Sequence, residues 1–532
     1  MGAQQSQANK EPNMAANSSS PLYSLTPERA ARFDELQLKL APLWRLIGRT
    51  NPGGEVQDEN TLVVLPSLTM EMEIPGSHHK VYEERFLFMT FLLRQPHLRM
   101  IYLTSQPVAP LTIDYYLHNL PDVTVSNARK RLHLLSPQDG SARSLAEKVL
   151  ERPWFVRQIR EHIPDLERAH LVPFLTTDLE RELALQLDIP MYAADPRHFA
   201  LGGKSGARRV FAEEGLQHPL GVENIRSEAG FVAAIHAMRR EKPAIGRVIT
   251  KLNQGVSGMG NAVVDLRGLP KPGAADEAEA IAARLRAMAF EVPELTYADY
   301  LTGVTRQGAI VEEMISGEEM RSPSVQMRIS PLGKVEILST HDQMLGGPSG
   351  QSYLGAIFPA DPAYSRLITR EAAKIGERFV REGIIGRFAL DFLTVKNEAG
   401  EWEPYAIEVN LRKGGTTHPF LTLQYLTDGS SDAETGEFTT ELGERRYYVA
   451  SDHVESAAYR IFTPEDLLDL ISVHRLTFDQ TCQTGVVLHM FSGVGELGRL
   501  GVTCIHGTAA RARALYDDFI ALLDREVEVR GQ

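Results

Sequence analysis

AIEVNLRKGGTTHPF, residues 406–420, sets Glu408 and Asn410 into an otherwise apolar, strand-like run and opens at once into Arg412, Lys413, Gly414 and Gly415. Just upstream, GRFALDFLTV (386–395) and EPYAIEVNLR (403–412) flank the polar turn sequence NEAGEW, which reads as a β-hairpin. A turn centred on Ala399-Gly400 sets Asp391 opposite Glu408, Ala389 opposite Asn410 and Arg387 opposite Arg412. The side-chain period of two then gathers Arg387, Asp391, Glu408, Asn410 and Arg412 on one face. Phe388, Leu390, Phe392, Tyr405, Ile407 and Val409 fall on the other. Opposed residues carry Cβ atoms about 5 Å apart. At that separation two unpaired carboxylates repel, and one takes up a proton. A divalent cation between them removes the conflict, and hard oxygen ligands without sulfur or imidazole suit Mg²⁺. The competing reading is a solvated sheet face with two arginine–carboxylate pairs, and a one-residue slip in register would disperse the set.

The whole chain has 532 residues, enough for three or four domains. Its 56 Lys+Arg against 69 Asp+Glu leave a formal charge of −13, which argues against a nucleic-acid partner and confines any anion site to a local basic cluster. Cys482 and Cys504 make neither a disulfide framework nor a zinc signature, and a cytoplasmic setting is expected. No apolar run approaches the ~20 residues of a membrane helix, so no membrane partner is expected. MGAQQS fits the short myristoylation pattern, but an ordinary polar tail is the favoured reading.

Residues 1–24 are rich in Gln, Asn, Ser and Ala and are expected to be a disordered tail. Alternating strand-like and helix-like segments, among them TLVVLPSL (61–68), RFLFMTFLL (85–93, a helix core), MIYLTS (100–105) and RKRLHLLSP (129–137, a strand), predict an α/β domain over 25–195. No Gly-x-Gly-x-x-Gly follows the first strand, so a dinucleotide fingerprint is absent. A central region over 196–440 follows, with a linker at 267–281 and a long glycine loop at 346–355. Beyond 440 the pattern turns α/β again and predicts a small C-terminal domain over 441–532.

Two lysines stand next to glycine-rich segments. GGKS (202–205) is not a P-loop, because position 198 is His rather than Gly. Lys251 closes an apolar strand and precedes QGVSGMG (254–260), whose glycines allow backbone N–H groups to approach phosphate oxygens. VEEMISGEEM (311–320) offers Glu312, Glu313 and Glu319 around a bend, where carboxylates can accept from an amino group or from hydroxyls.

In this order, lysine before a helix, lysine before a glycine loop, VEEMISGEE, the acidic hairpin strand and Glu-x-Asn resemble the nucleotide-binding half of the ATP-grasp superfamily, as in D-alanine–D-alanine ligase. HDQMLGGPSGQSYLG, IEVNLRKGGTTHP and TGVVLHMF further resemble the peptide ligases of pheganomycin-type biosynthesis, and the likeness spans about residues 60–525. The resemblance implies a pre-ATP-grasp domain at 25–195, an ATP-grasp core at 196–440 (lid half 196–310, metal half 311–440) and a small C-terminal domain. It implies that Lys204 and Lys251 contact ATP phosphates under a loop that includes Gly255, Ser257, Gly258 and Gly260. It places Glu312, Glu313 and Ile315 at the adenine, Glu319 at the ribose, and Asp391, Glu408 and Asn410 around two Mg²⁺ ions, with Mn²⁺ as a substitute. Relatives in the superfamily carry a catalytic arginine two residues before the metal aspartate. Position 389 is alanine here, which leaves Arg387 and Arg412 as the candidates.

The activity so implied is ATP-dependent ligation of a small-molecule or peptide carboxylate to an amine such as an amino acid, through an acylphosphate, with ADP and phosphate released. The alternative is a non-catalytic ATP-binding regulator on the same fold; a thiol or phosphohistidine acceptor is a third reading. A homodimer is the default assembly. Outside the motifs, His418 is a candidate substrate contact or a loop histidine, and His341 with Asp342 is a candidate wall of the substrate cavity. His489 and Cys504 read as core residues, and His78-His79 as surface.

Overall fold

A computed structural model describes residues 25–47, 59–69, 76–255, 258, 260–347, 350–432 and 435–531. The polar tail and Ser257 lie outside the described residues. The first sheet is parallel, in the order Leu132–Leu135, Leu98–Leu103, Asn60–Leu65, Ala169–Pro173. Its central strand Asn60–Leu65 is buried along its whole length, as a parallel strand covered on both faces must be. Alternation along it splits two cores. Val63 and Leu65 join a cluster with Ile101, Leu171 and Leu187, while Leu62 and Val64 join another with Met100 and Tyr102.

A five-stranded antiparallel sheet follows in the order Gly221–Ile225, Ala309–Glu313, Arg247–Leu252, Asn261–Asp265, Ala289–Phe290. The third sheet has nine strands and contains the hairpin. Gly386–Lys396 lies between Pro323–Ile329 and Trp402–Asn410. Helix Pro362–Arg381 covers its apolar face, starting at the Asp361 cap and stopping before Gly383, whose φ is +75°.

Several expectations change. The strand read at 129–137 is the end of a helix, Val125–Arg131, followed by the short strand Leu132–Leu135; its basic run RKR sits in the helix's last turn, where cations are favoured. Arg85–Arg94 is a run of 3₁₀ turns rather than an α-helix. Half of the glycine loop at 346–355, Gly346 and 352–355, belongs to two paired strands, Val335–Gly346 and Ser352–Phe358. The linker at 267–281 gives way to helix Glu277–Arg286. The segment from 441 onward does not form a sheet of its own. Tyr447–Glu455, Arg499–His506 and Gly485–His489 extend the central sheet from Ser352–Phe358.

The helix Lys204–Glu213 packs on its own approach segment so closely that a Cβ at Gly206 would lie 1.8 Å from the Ala200 carbonyl oxygen. That oxygen is backbone and cannot swing aside. Gly206→Ala is expected to cost about 1–3 kcal/mol of stability, read as a lower urea midpoint.

Candidate active site

A cleft of about 910 Å³ opens between the five-stranded sheet, the hairpin and the first domain. The hairpin register is the one the sequence predicts at its open end: Asp391 faces Glu408 and Ala389 faces Asn410. Between Asp391 and Phe392 the register shifts by one residue, a β-bulge. The bulge corrects the expected apolar face. Ala406 and Val409 enter the core, whereas Tyr405 and Ile407 do not, and Ile407 and Glu408 both line the cleft.

Asp391 accepts from Gln343 Nε2 and from Asn410 Nδ2, each at 2.9 Å. Burial, then the charge of Glu408, pushes its pKa up to about 6. Burial works against the Glu408 carboxylate too. Lys204 Nζ at 2.9 Å from Oε1, with Lys251 behind it, outweighs that and holds Glu408 below the usual carboxylate range. One member of the pair is thus proton-hungry and the other firmly ionised. Two carboxylates converging in one half-buried place, with Asn410 beside them, fit a hard divalent cation, which would replace the proton Asp391 otherwise favours.

Lys204 heads its helix, and its backbone N–H donates to Asn253 O at 3.1 Å. Ser205 Oγ donates to Asn253 Oδ1 at 2.6 Å, so the root of the glycine loop is tied to the start of the lysine helix. Lys251 and Arg208 both pair with the buried Glu312. Gly255, Gly258, Glu313 and Ile315 line the same cleft; Gly258 and Gly260 have φ of +82° and +85°. Gly260 packs against Leu252 and is not part of the cleft wall. Glu319 also lies off the wall, paired with Arg321 and Lys396 at 3.1 Å each.

The two candidate arginines separate. Arg412 lines the cleft, while Arg387 is opposite Arg328, beyond the cleft among Tyr192 and Tyr425, with its Nη1 buried and without a hydrogen-bond partner. Arg387 is therefore withdrawn as a catalytic candidate. Lys413 turns away as well, its Nζ donating to Pro173 O at 2.5 Å. Gly415 is required by close approach: a Cβ there would lie 2.5 Å from the Tyr353 ring.

Beyond Arg412 the cleft continues to residues the sequence did not point to: Arg85, Tyr82, His78, Asp452 and Arg499. Arg85 and Arg499 stand over the Tyr82 ring at 5.0 and 5.6 Å. His79, expected at the surface, is buried and donates to Ala142 O at 3.0 Å. His341 and Asp342 do not reach the cleft; His341 bonds Tyr448 Oη at 2.6 Å, and Asp342 accepts from Tyr364 Oη at 2.7 Å. His418 also lies off the cleft wall, buried against His489 and Asp452. Cys504 is fully buried, as read from its apolar strand.

Two sheets clasp a cleft with paired lysines on one side and opposed acids on the other, the arrangement that the resemblance to the ATP-grasp superfamily implies. Residues 275–434 match the family model described as IQCH-like, ATP-grasp. The chain is 29% identical over 429 residues to L-propargylglycine–L-glutamate ligase of Streptantibioticus cattleyicolor, covering 79% of this chain and 85% of that one. It is 23% identical over 395 residues to IQ motif-containing protein H of Danio rerio, covering 66% of this chain and 37% of that one. Among solved structures, an N5-carboxyaminoimidazole ribonucleotide synthetase bound to ADP superposes with a TM-score of 0.51 at 12% identity, over 88% of this chain and 98% of that one. Biotin carboxylase of Campylobacter jejuni gives 0.51 at 14%, over 87% and 90%. These two structures share the fold.

Proposed function

We propose that the protein is an ATP-dependent carboxylate–amine ligase that works through an acylphosphate and releases ADP and phosphate. The observation that carries this reading is the Asp391–Glu408 pair, with Asn410 and Lys204 in contact with it, in one cleft with an arginine-lined far end. The similarity to a ligase whose name gives two amino acids supports amino-acid substrates. Nothing in the site or the comparisons supports the regulator reading.

In this reading Lys204 and Lys251 offset charge on the transferring phosphoryl group, and Gly255 and Gly258 bring backbone N–H groups to it. Asp391, Glu408 and Asn410 would hold Mg²⁺, which supplies charge neutralisation of the phosphate oxygens. Glu312 holds Lys251 in place rather than reading a base directly. Ile315 and Ile407 provide an apolar slot for a nucleobase. Oxygen of the substrate carboxylate attacks the γ-phosphorus and ADP leaves. The amine nitrogen then attacks the acyl carbon, the N–H proton is lost, and phosphate departs. Arg412 faces the point where the tetrahedral oxyanion forms. A cytoplasmic setting accords with the two free cysteines, and among the described residues no helix is long and apolar enough to cross a membrane.

The deciding experiment incubates the protein with Mg-ATP and pooled amino acids and short peptides. ADP and phosphate that appear only with the pool support the reading; AMP and pyrophosphate would overturn it.

Protonation gives a second test. The folded-state pKa of Asp391 lies above the ordinary value of 3.8, so the proton competes with the cation as pH falls through about 6. Mg²⁺-dependent ATP binding, followed by calorimetry, is expected to weaken from about pH 7.5 to about pH 5, and Asp391→Asn is expected to flatten that dependence.

A further inference from the structure

Behind the far end of the cleft, three buried side chains from three separate elements meet. His418 lies in the first turn of helix Thr417–Thr427, Asp452 lies in strand Tyr447–Glu455, and His489 ends strand Gly485–His489. His418 Nε2 is 2.9 Å from Asp452 Oδ1, His489 Nε2 is 3.0 Å from the same oxygen, and the two Nε2 atoms are 3.0 Å apart. Hydrogen bonding does not account for this triangle. It has three edges of hydrogen-bond length, but an ionised carboxylate brings no proton and each Nε2 brings at most one. If both imidazoles donate to Oδ1, the edge between them sets two N–H groups against each other. If one accepts from the other, its own edge to Oδ1 has no proton.

The geometry points to a site for one divalent transition-metal ion of the zinc type, held by His418, His489 and Asp452. Ligand atoms at about 2.1 Å from an ion, subtending about 90–110°, stand about 3.0–3.4 Å apart, and the observed edges of 2.9, 3.0 and 3.0 Å lie at the lower limit of that range. Two imidazoles and one carboxylate on one face of an ion is a common set that leaves other positions open. The second oxygen of Asp452 is taken by Arg85 Nη1 at 2.9 Å, which orients the carboxylate and leaves Oδ1 for the ion. The backbone is shaped around the ring of His489: a Cβ at Gly501 would lie 2.1 Å from its Cδ2. Such an ion would cross-link the helix after the hairpin to the C-terminal strands, beside the cleft that Asp452 lines.

The test uses the full-length protein and no turnover, so it stands or falls apart from the ligase reading. Protein is loaded with Zn²⁺, desalted, and assayed for metal by mass spectrometry. About one equivalent per chain is expected. His489→Gln and Asp452→Asn are expected to lose at least tenfold in affinity, whereas Asp391→Asn, at the nucleotide end, is expected to retain the ion. Should the variants fail to fold by circular dichroism, the Co²⁺-loaded wild type decides, through visible d–d bands of a low-symmetry site. Absence of retained zinc and of those bands, or equal retention in a folded His489→Gln, would overturn the proposal and leave a hydrogen-bonded cluster only.

Discussion

Glu408→Gln is expected to cut ATP-dependent product formation on the order of 10³-fold, the upper end of what loss of one electrostatic stabiliser costs. The amide is nearly the same shape, so the effect is chemical. It removes one of two opposed carboxylates and the partner of Lys204 Nζ at 2.9 Å. It also relieves the repulsion that helps hold Asp391 partly protonated. The variant is therefore expected to fold as well as the parent, with an unchanged or higher melting temperature, while releasing almost no ADP when given its substrates. A solvated face with ordinary arginine–carboxylate pairs would behave differently, since exposed pairs contribute at most about 1 kcal/mol. Near-normal turnover in a folded Glu408→Gln would remove the metal site.

The second large effect separates two arginines that the sequence left equivalent. Arg412→Met is expected to lower kcat by about 10²–10³, roughly 2.7–4 kcal/mol of transition-state stabilisation, with ATP affinity changed little. Arg387→Met is expected to leave kcat within about threefold and to keep or raise stability, because it replaces a half-buried guanidinium, whose buried Nη1 has no hydrogen-bond partner, by an apolar side chain of similar reach. Steady-state kinetics with ATP binding measured separately checks both. Equal losses in the two variants would mean that Arg387 acts on the reaction after all.

The hairpin was legible because a strand period of two and a short turn leave few registers, and Asp391 opposite Glu408 follows from either side of the turn. The bulge was not legible. Nothing in EPYAIEVN marks Ile407 as the extra residue, and only the core's choice of Ala406 over Ile407 reveals it. Lys204 and Lys251 were readable from their local context, a helix start and a strand end beside glycines. Arg85, Asp452 and Arg499 were not: Arg85 comes from the first domain and meets Asp452, 367 residues further on, only in the folded chain, and Asp452 and Arg499 come together through the pairing of their two strands. For the same reason His418 and His489 looked like unrelated histidines, each with a bland reading of its own.

One face of the first sheet is covered by neighbours close in the chain, from Phe155 to Met191. The other face, with Leu62, Val64 and Met100, shares its core with Tyr448, Val486, Val502 and Leu523 near the opposite end of the chain. On the ribosome the first face can therefore close early, while the second gains Phe86 to Leu117 soon after but completes its core only some four hundred residues later, on the order of tens of seconds at ordinary rates of synthesis. During that interval the layer of Phe86 to Leu117 lacks its C-terminal partners. The nascent chain should accordingly depend on a holding chaperone until its last helix emerges.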